Sequence, residues 1–195
     1  MMPLRPEQPR HCGARHGVSL VELMVVLAIA ALLLGFAAPA MHDMIRRFQI
    51  NAATSDLFGA INLARSQAMA RGRRVQLVPR EPAGIDWSRG WVVFIDANGD
   101  RRPGPGEEVI ASQGELPQGI AINFTFTGSS APHYIAFNGA GRSCSDTSTM
   151  AARFGTLSLY HAGWTRRIRI NMLGRARVCN PDKDGASCEG GPDAT

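Results

Sequence analysis

One acidic residue, Glu22, stands inside the apolar run Val18 to Met41, VSLVELMVVLAIAALLLGFAAPAM. A carboxylate one turn into such a helix costs on the order of 2.5 to 3.5 kcal/mol on insertion scales, so it must stay hydrated at an interface or meet a cation. At the other end of the chain, Arg153, Arg166, Arg167, Arg169, Arg175 and Arg177 fall between Thr147 and Pro181 without one Asp or Glu. Guanidinium groups bind phosphate and carboxylate in planar, bidentate fashion. In Arg167-Ile168-Arg169-Ile170, strand alternation puts the arginines on one face and the isoleucines on the other. That arginine face is expected to be exposed and cationic. It would neutralise nucleic-acid phosphates, or it would protect an edge strand against aggregation.

Other constellations carry less chemistry. Asp96, Asn98, Asp100 and Glu107 occupy positions 1, 3, 5 and 12 of an EF-hand-like register. The sixth position, where such a loop requires Gly, is Arg101, and the flanks read as strands, so a polar turn is the expected structure. His42, His133 and His161 have no neighbours that would make a triad or a zinc site, and no Cys-x-x-Cys occurs. No catalytic residue, metal site or cofactor is expected.

The elements that must position these residues follow from length and periodicity. The chain has 195 residues, 45% hydrophobic and 19% charged, with a formal charge of +5 in which 20 of the 21 basic residues are Arg. One ordinary globular domain fits, and a disordered or multi-span membrane protein does not. The 24 residues from Val18 to Met41 would span roughly 36 Å as a helix, enough to cross a hydrocarbon core. Arg5, Arg10 and Arg15 ahead of it favour a cytoplasmic N-terminus. Beyond Pro39, Ile45, Phe48, Ala52, Leu57, Ile61, Ala64 and Ala68 form an amphipathic stripe, predicting one long helix from about Val18 to Arg71, kinked at Pro39 and ended by Gly72. The period then changes to two. Strands are expected at Val75 to Val78, Trp91 to Ile95, Val109 to Ser112, Ile120 to Thr127, Tyr134 to Phe137, Thr156 to Tyr160, Ile168 to Met172 and Ala176 to Val178, with loops at Gly128 to Pro132 and Gly139 to Ser148. The fold class is α+β: a long N-terminal helix packed on an antiparallel β-sandwich head.

Two stretches also carry a family resemblance. Gly17-Val18-Ser19-Leu20-Val21-Glu22-Leu23 resembles the processing site of type IV prepilins and pseudopilins. The resemblance implies a basic leader, residues 1–17, cut after Gly17 by a prepilin peptidase, with methylation of the new N-terminus on Val18, where the family usually has Phe. It implies assembly roles for Glu22 and for the helix-kinking Pro39. Glu22 of one subunit would meet the α-amine of its neighbour, so that two charges costly singly in lipid offset one another. The blocks Leu63-Ala64-Arg65-Ser66-Gln67-Ala68 and Gly90-Trp91-Val92-Val93-Phe94-Ile95-Asp96-Ala97-Asn98 resemble the GspH/FimT group of minor pseudopilins and minor pilins.

That likeness divides the chain into a leader (1–17), a transmembrane or assembly helix (18–41), an amphipathic helix (42–72) and a periplasmic head (73–195). It implies a noncatalytic subunit anchored in the bacterial inner membrane and then built into a pilus or pseudopilus with other pilin subunits. Gly174-Arg175-Ala176-Arg177 resembles the Gly-Arg-x-Arg motif of FimT-type minor pilins that bind DNA in natural transformation. Double-stranded DNA is therefore an expected partner, through Arg175 and Arg177 helped by Arg166, Arg167 and Arg169. A GspH-like pseudopilin of type II secretion, with those arginines facing a neighbouring subunit, is the alternative. Loss of the leader would remove Cys12, His11 and His16, leaving Cys144, Cys179 and Cys188 in an oxidising compartment. Cys179 with Cys188 would close a C-terminal loop, while Cys144 with either stays open.

Overall fold

The computed structural model describes residues 17–128 and 130–188, the side chains of residues 34–40 excepted. The leader residues 1–16, with Cys12, His11 and His16, lie outside the described residues. Helix α1 runs from Leu20 to Arg71, continuous through Pro39. Its start is an N-cap: the Ser19 hydroxyl accepts from the Glu22 amide at 3.2 Å, and the Ser19 carbonyl accepts from Leu23. Its end is a Schellman turn, with Gly72 at φ 61°, its amide on the Met69 carbonyl and the Arg73 amide on the Ala68 carbonyl. Among the described residues, no helix is long and apolar enough to cross a membrane.

The chain divides into two compact units, one ending at His42 and the other running from Asp43. In the first, the described apolar side chains from Leu20 to Leu33 are largely exposed. In the second, the helix buries Ile50, Ala53, Leu57, Ile61, Ala64 and Ala68. The expected stripe is thereby corrected at its N-terminal end: Ile45 and Phe48 are exposed and Ala52 is half-buried, because the core begins one turn later and on the Ile50/Ala53 register.

Among the described residues, nine strands follow α1: β1 (Val75–Pro79), β2 (Trp91–Phe94), β3 (Val109–Gln113), β4 (Ala121–Phe126), β5 (Ile135–Phe137), β6 (Ser143–Cys144), β7 (Gly155–His161), β8 (Trp164–Ile170) and β9 (Ala176–Cys179). They form two antiparallel sheets, of order β3-β2-β1-β5-β6 and β4-β7-β8-β9. Helix α1 and the inner faces of both sheets share the main core, which includes Leu77, Val93, Phe124, Leu157 and Ile168. The alternation Phe124, Phe126 in and Thr125 out is that of a half-buried strand. The other face of the five-stranded sheet buries a smaller cluster of Val78, Val92, Phe94, Tyr134, Ala136 and Cys144. Two expectations shift. β6 lies in the stretch read as a loop, and β8 starts at Trp164 and ends at Ile170 because Asn171 to Arg175 form the turn into β9.

A short helix α2 (Pro181–Asp184) and a 3-10 turn, Gly185–Cys188, follow β9. Cys179 and Cys188 are joined as a disulfide, and Cys144 is a buried free thiol whose pKa burial pushes up to about 11. Closing so short a loop, nine residues in separation, stabilises by about 2 to 3 kcal/mol.

Candidate functional site

The outer face of the four-stranded sheet collects the arginine tract. Thr125, Thr156, Arg169 and Arg177 lie directly opposite one another in one row across β4, β7, β8 and β9. One step along, Asn123, Ser158, Arg167 and Cys179 form the next row on the same face. Because Arg167 faces Cys179, the disulfide carries Cys188 to its side, and the Arg167 Nη1 donates to the Cys188 carbonyl at 2.9 Å. The Ser187 carbonyl accepts from Arg169 Nη1 at 2.9 Å and also from Arg177. Three guanidiniums thus hold the last carbonyls of the C-terminal turn, the end where partial negative charge collects.

This docking corrects the expected open arginine face. Arg167 is only 3% exposed, and its position in the strand row is covered by the turn. Arg166 falls on the opposite face by strand alternation and reaches α1, where its Nε donates to Asn51 Oδ1 at 3.0 Å. Arg169, Arg175 and Arg177 remain together around a groove of about 910 Å³, which Phe154, Met172 and Thr156 also line. Among the described residues, no acidic side chain lines it. The structure therefore gathers three of the five arginines singled out by sequence and places the other two elsewhere.

The turn that presents Arg175 and Arg177 is rigidly built. Asn171 Oδ1 accepts from the amides of Leu173 and Arg175, at 3.1 and 2.9 Å. Gly174 has φ 77°, and a Cβ there would collide with the Gly141 carbonyl, so both conformation and close approach require glycine. Arg65 of α1 pins the same region, its Nε donating to the Gly141 carbonyl at 2.8 Å and its Nη2 to that of Leu173 at 3.5 Å. The role of Arg65 has no sequence signal beyond its membership of the Leu63 to Ala68 block.

The other candidates have structural partners. In the loop after β2, Asp96 accepts from the amides of Gly99 and Arg101 and from Gln76 Nε2, while Glu107 accepts from those of Ala97, Asn98 and Gly104. Arg101 supplies the positive φ, 61°, that the sixth position needs. His161 Nε2 meets Gln49 Oε1 at 3.0 Å, and His133 stacks on Phe124 with its pKa lowered by burial. Gly17 and Val18 are exposed ahead of the cap, and Glu22 lies in the first turn of α1. The backbone at Pro39 is helical.

A long N-terminal helix opening on a capped Ser-x-x-Glu, with its second half embedded in a head of two antiparallel sheets, defines a pilin-like subunit. The chain belongs to the family described as type II transport protein GspH, whose model matches residues 53–174, and the prokaryotic N-terminal methylation motif matches residues 12–38. It is 31% identical over 166 residues to the pilin-like protein PilA1 of Thermus thermophilus, a match covering 84% of this chain and 98% of that one. Its fold resembles that of the type IV minor pilin FimU of Pseudomonas aeruginosa. In one crystal form the TM-score is 0.54 at 17% identity, covering 73% of this chain and 97% of FimU. In a second it is 0.51 at 17% identity, covering 71% and 99%. The protein is a minor pilin or pseudopilin subunit of a type IV pilus or a type II secretion system, and its precursor is membrane-anchored. The family is one of structural subunits.

Proposed function

We propose that this subunit enters the inner membrane as a single-pass precursor, is cut after Gly17 by a prepilin peptidase and methylated on Val18, and presents a periplasmic head that binds double-stranded DNA during uptake. The observation that carries the DNA reading is the groove bordered by Arg169, Arg175 and Arg177, with no carboxylate along it among the described residues. No described acid competes there with phosphate for the guanidiniums, and their fork geometry suits it. Arg175 and Arg177 are exposed and make the primary contacts, with Arg169 behind them. Arg166 acts at most at the margin, and Arg167 acts by holding the C-terminal turn.

Salt-titrated binding of duplex DNA to the full chain in detergent tests this. The wild type should bind with an affinity that falls steeply with salt, and Arg175→Gln with Arg177→Gln should reduce the slope of log K against log salt by about 2. Absence of wild-type binding at low salt rejects the proposal. A second reading has its own observation: Met172 and Leu173 are more than half exposed and Phe154 is 41% exposed at the same end of the sheet. Apolar side chains beside arginines also suit a neighbouring subunit. In that case the double variant loses incorporation into the filament while DNA binding is absent throughout.

A further inference from the structure

A second cationic cluster, separate from the arginine row, sits beside the smaller core. Its centre is Asp146. Oδ1 accepts from Tyr134 Oη at 2.6 Å and from Ser145 Oγ at 3.1 Å, and Oδ2 accepts from Arg101 Nε at 2.5 Å. The Asp146 backbone carbonyl accepts from Arg74. Among the described residues, these contacts occupy the only carboxylate lining the adjoining cavity of about 310 Å³.

Among the described residues, Arg153 is paired with no acid. It is 6% exposed, with its guanidinium 3.9 Å from the Tyr134 ring centroid, and Arg101 lies 4.5 Å from the same ring. Arg153 Nε and Nη2 donate to the carbonyls of Thr127 and Gly128, at 3.0 and 2.9 Å. Its Nη1 is buried and has no hydrogen-bond partner among the described residues. A buried cation with only neutral partners and an unused donor is costly. Stacking on tyrosine recovers part of that cost.

We propose that this cavity binds a phosphate group. Arg101, Arg153 and Asp146 line the cavity and Arg74 stands behind it on the Asp146 carbonyl; together they leave an excess of two positive charges, which suits a phosphate of roughly −1.5 to −2 at neutral pH. The lining also carries two hydroxyls: the Ser145 proton is held by Asp146 Oδ1, and Thr147 Oγ1, 3.0 Å from Ser145 Oγ, is exposed and would turn its proton to the ligand. Arg153 Nη1 supplies a charge-assisted donor, the strongest kind for such a ligand. Free phosphate and the phosphomonoester of a larger molecule share this chemistry.

Calorimetric titration of the full chain in detergent with inorganic phosphate, and separately with glycerol 3-phosphate, at ionic strength matched by chloride, tests the assignment. Saturable binding to one site is expected, weakened at least roughly tenfold in Arg153→Gln and unchanged in Arg175→Gln with Arg177→Gln. The exposed rim residue Thr147 gives a variant that does not threaten folding, and Thr147→Val should weaken binding several-fold. Equal affinity for the two ligands identifies the free ion as the source, and tighter binding of glycerol 3-phosphate identifies an esterified group. No saturable binding of either ligand by the wild type overturns the proposal, as does binding that Arg153→Gln and Thr147→Val both leave intact.

Discussion

From Leu20 to Leu33 helix α1 turns Leu, Val, Met and Ile outward at half or more of their surface, whereas from Ile50 to Ala68 it buries Ile, Ala and Leu almost completely. The side chains are similar and the backbone is one helix. What differs is the cover. The second half has two sheets to pack on, and Phe124, Leu157 and Ile168 meet it from within the head. The first half forms a compact unit of its own, and its exposed apolar surface needs lipid or other subunits to take it from water. One half therefore stabilises the subunit, and the other serves its surroundings. The two kinds of defect should be separable by experiment.

Glu22→Ala is the sharpest way to break that division. It should abolish incorporation into filaments while leaving membrane insertion and the thermal midpoint of the head unchanged, because among the described residues the Glu22 carboxylate has no hydrogen-bond or ion-pair partner and only the backbone of Glu22 joins the helix and its cap. Filament incorporation of this variant at the wild-type level would show that the acid has no assembly role. Leu57→Ala makes the complementary defect. Leu57 is fully buried, so the truncation should cost about 3 kcal/mol, lowering Tm by roughly 10 °C. A scan of the full chain in detergent reads this directly, and an unchanged midpoint would mean that the second half of α1 contributes little to the core.

The same contrast explains what the sequence could reveal. Leu57, Ile61, Ala64 and Ala68 repeat at helical spacing and are buried, and the Phe124, Thr125, Phe126 alternation matches the strand it forms. Ile45 and Phe48 belong to the same apolar periodicity and are exposed, because nothing local marks where the head begins to cover the helix. The arginine tract shows the equivalent limit. Arg167 and Arg169 do share a face, as alternation requires, yet Arg167 is buried by a turn of Pro181 to Cys188 that has no periodic signature. Arg153 looked like one more member of that tract. Its partners, Thr127 and Tyr134, come from distant parts of the chain, so its separate setting emerges only from the fold.

Charges differ between the regions as apolar groups do, and Asp146 shows it in the head. Burial raises its pKa, but the hydrogen bonds from Tyr134 and Arg101, together with the charge of Arg101, outweigh burial and hold it at about 2 instead of 3.8. A carboxyl depressed in the folded state stabilises fully above its unfolded pKa and loses that contribution as pH falls through the folded value. Its side chain is 7% exposed, so the gain is about 2 kcal/mol, present at neutral pH and lost between about pH 4 and pH 2. Asp146→Asn should lower stability at pH 7 by about that amount and flatten the loss on acidification. Chemical denaturation of both proteins in phosphate-free buffer from about pH 6 downward reads the difference. An acid limb of equal steepness in the two would mean that the pairing with Arg101 and Tyr134 contributes nothing, and that the head leaves this charge as unsettled as the N-terminal half leaves Glu22.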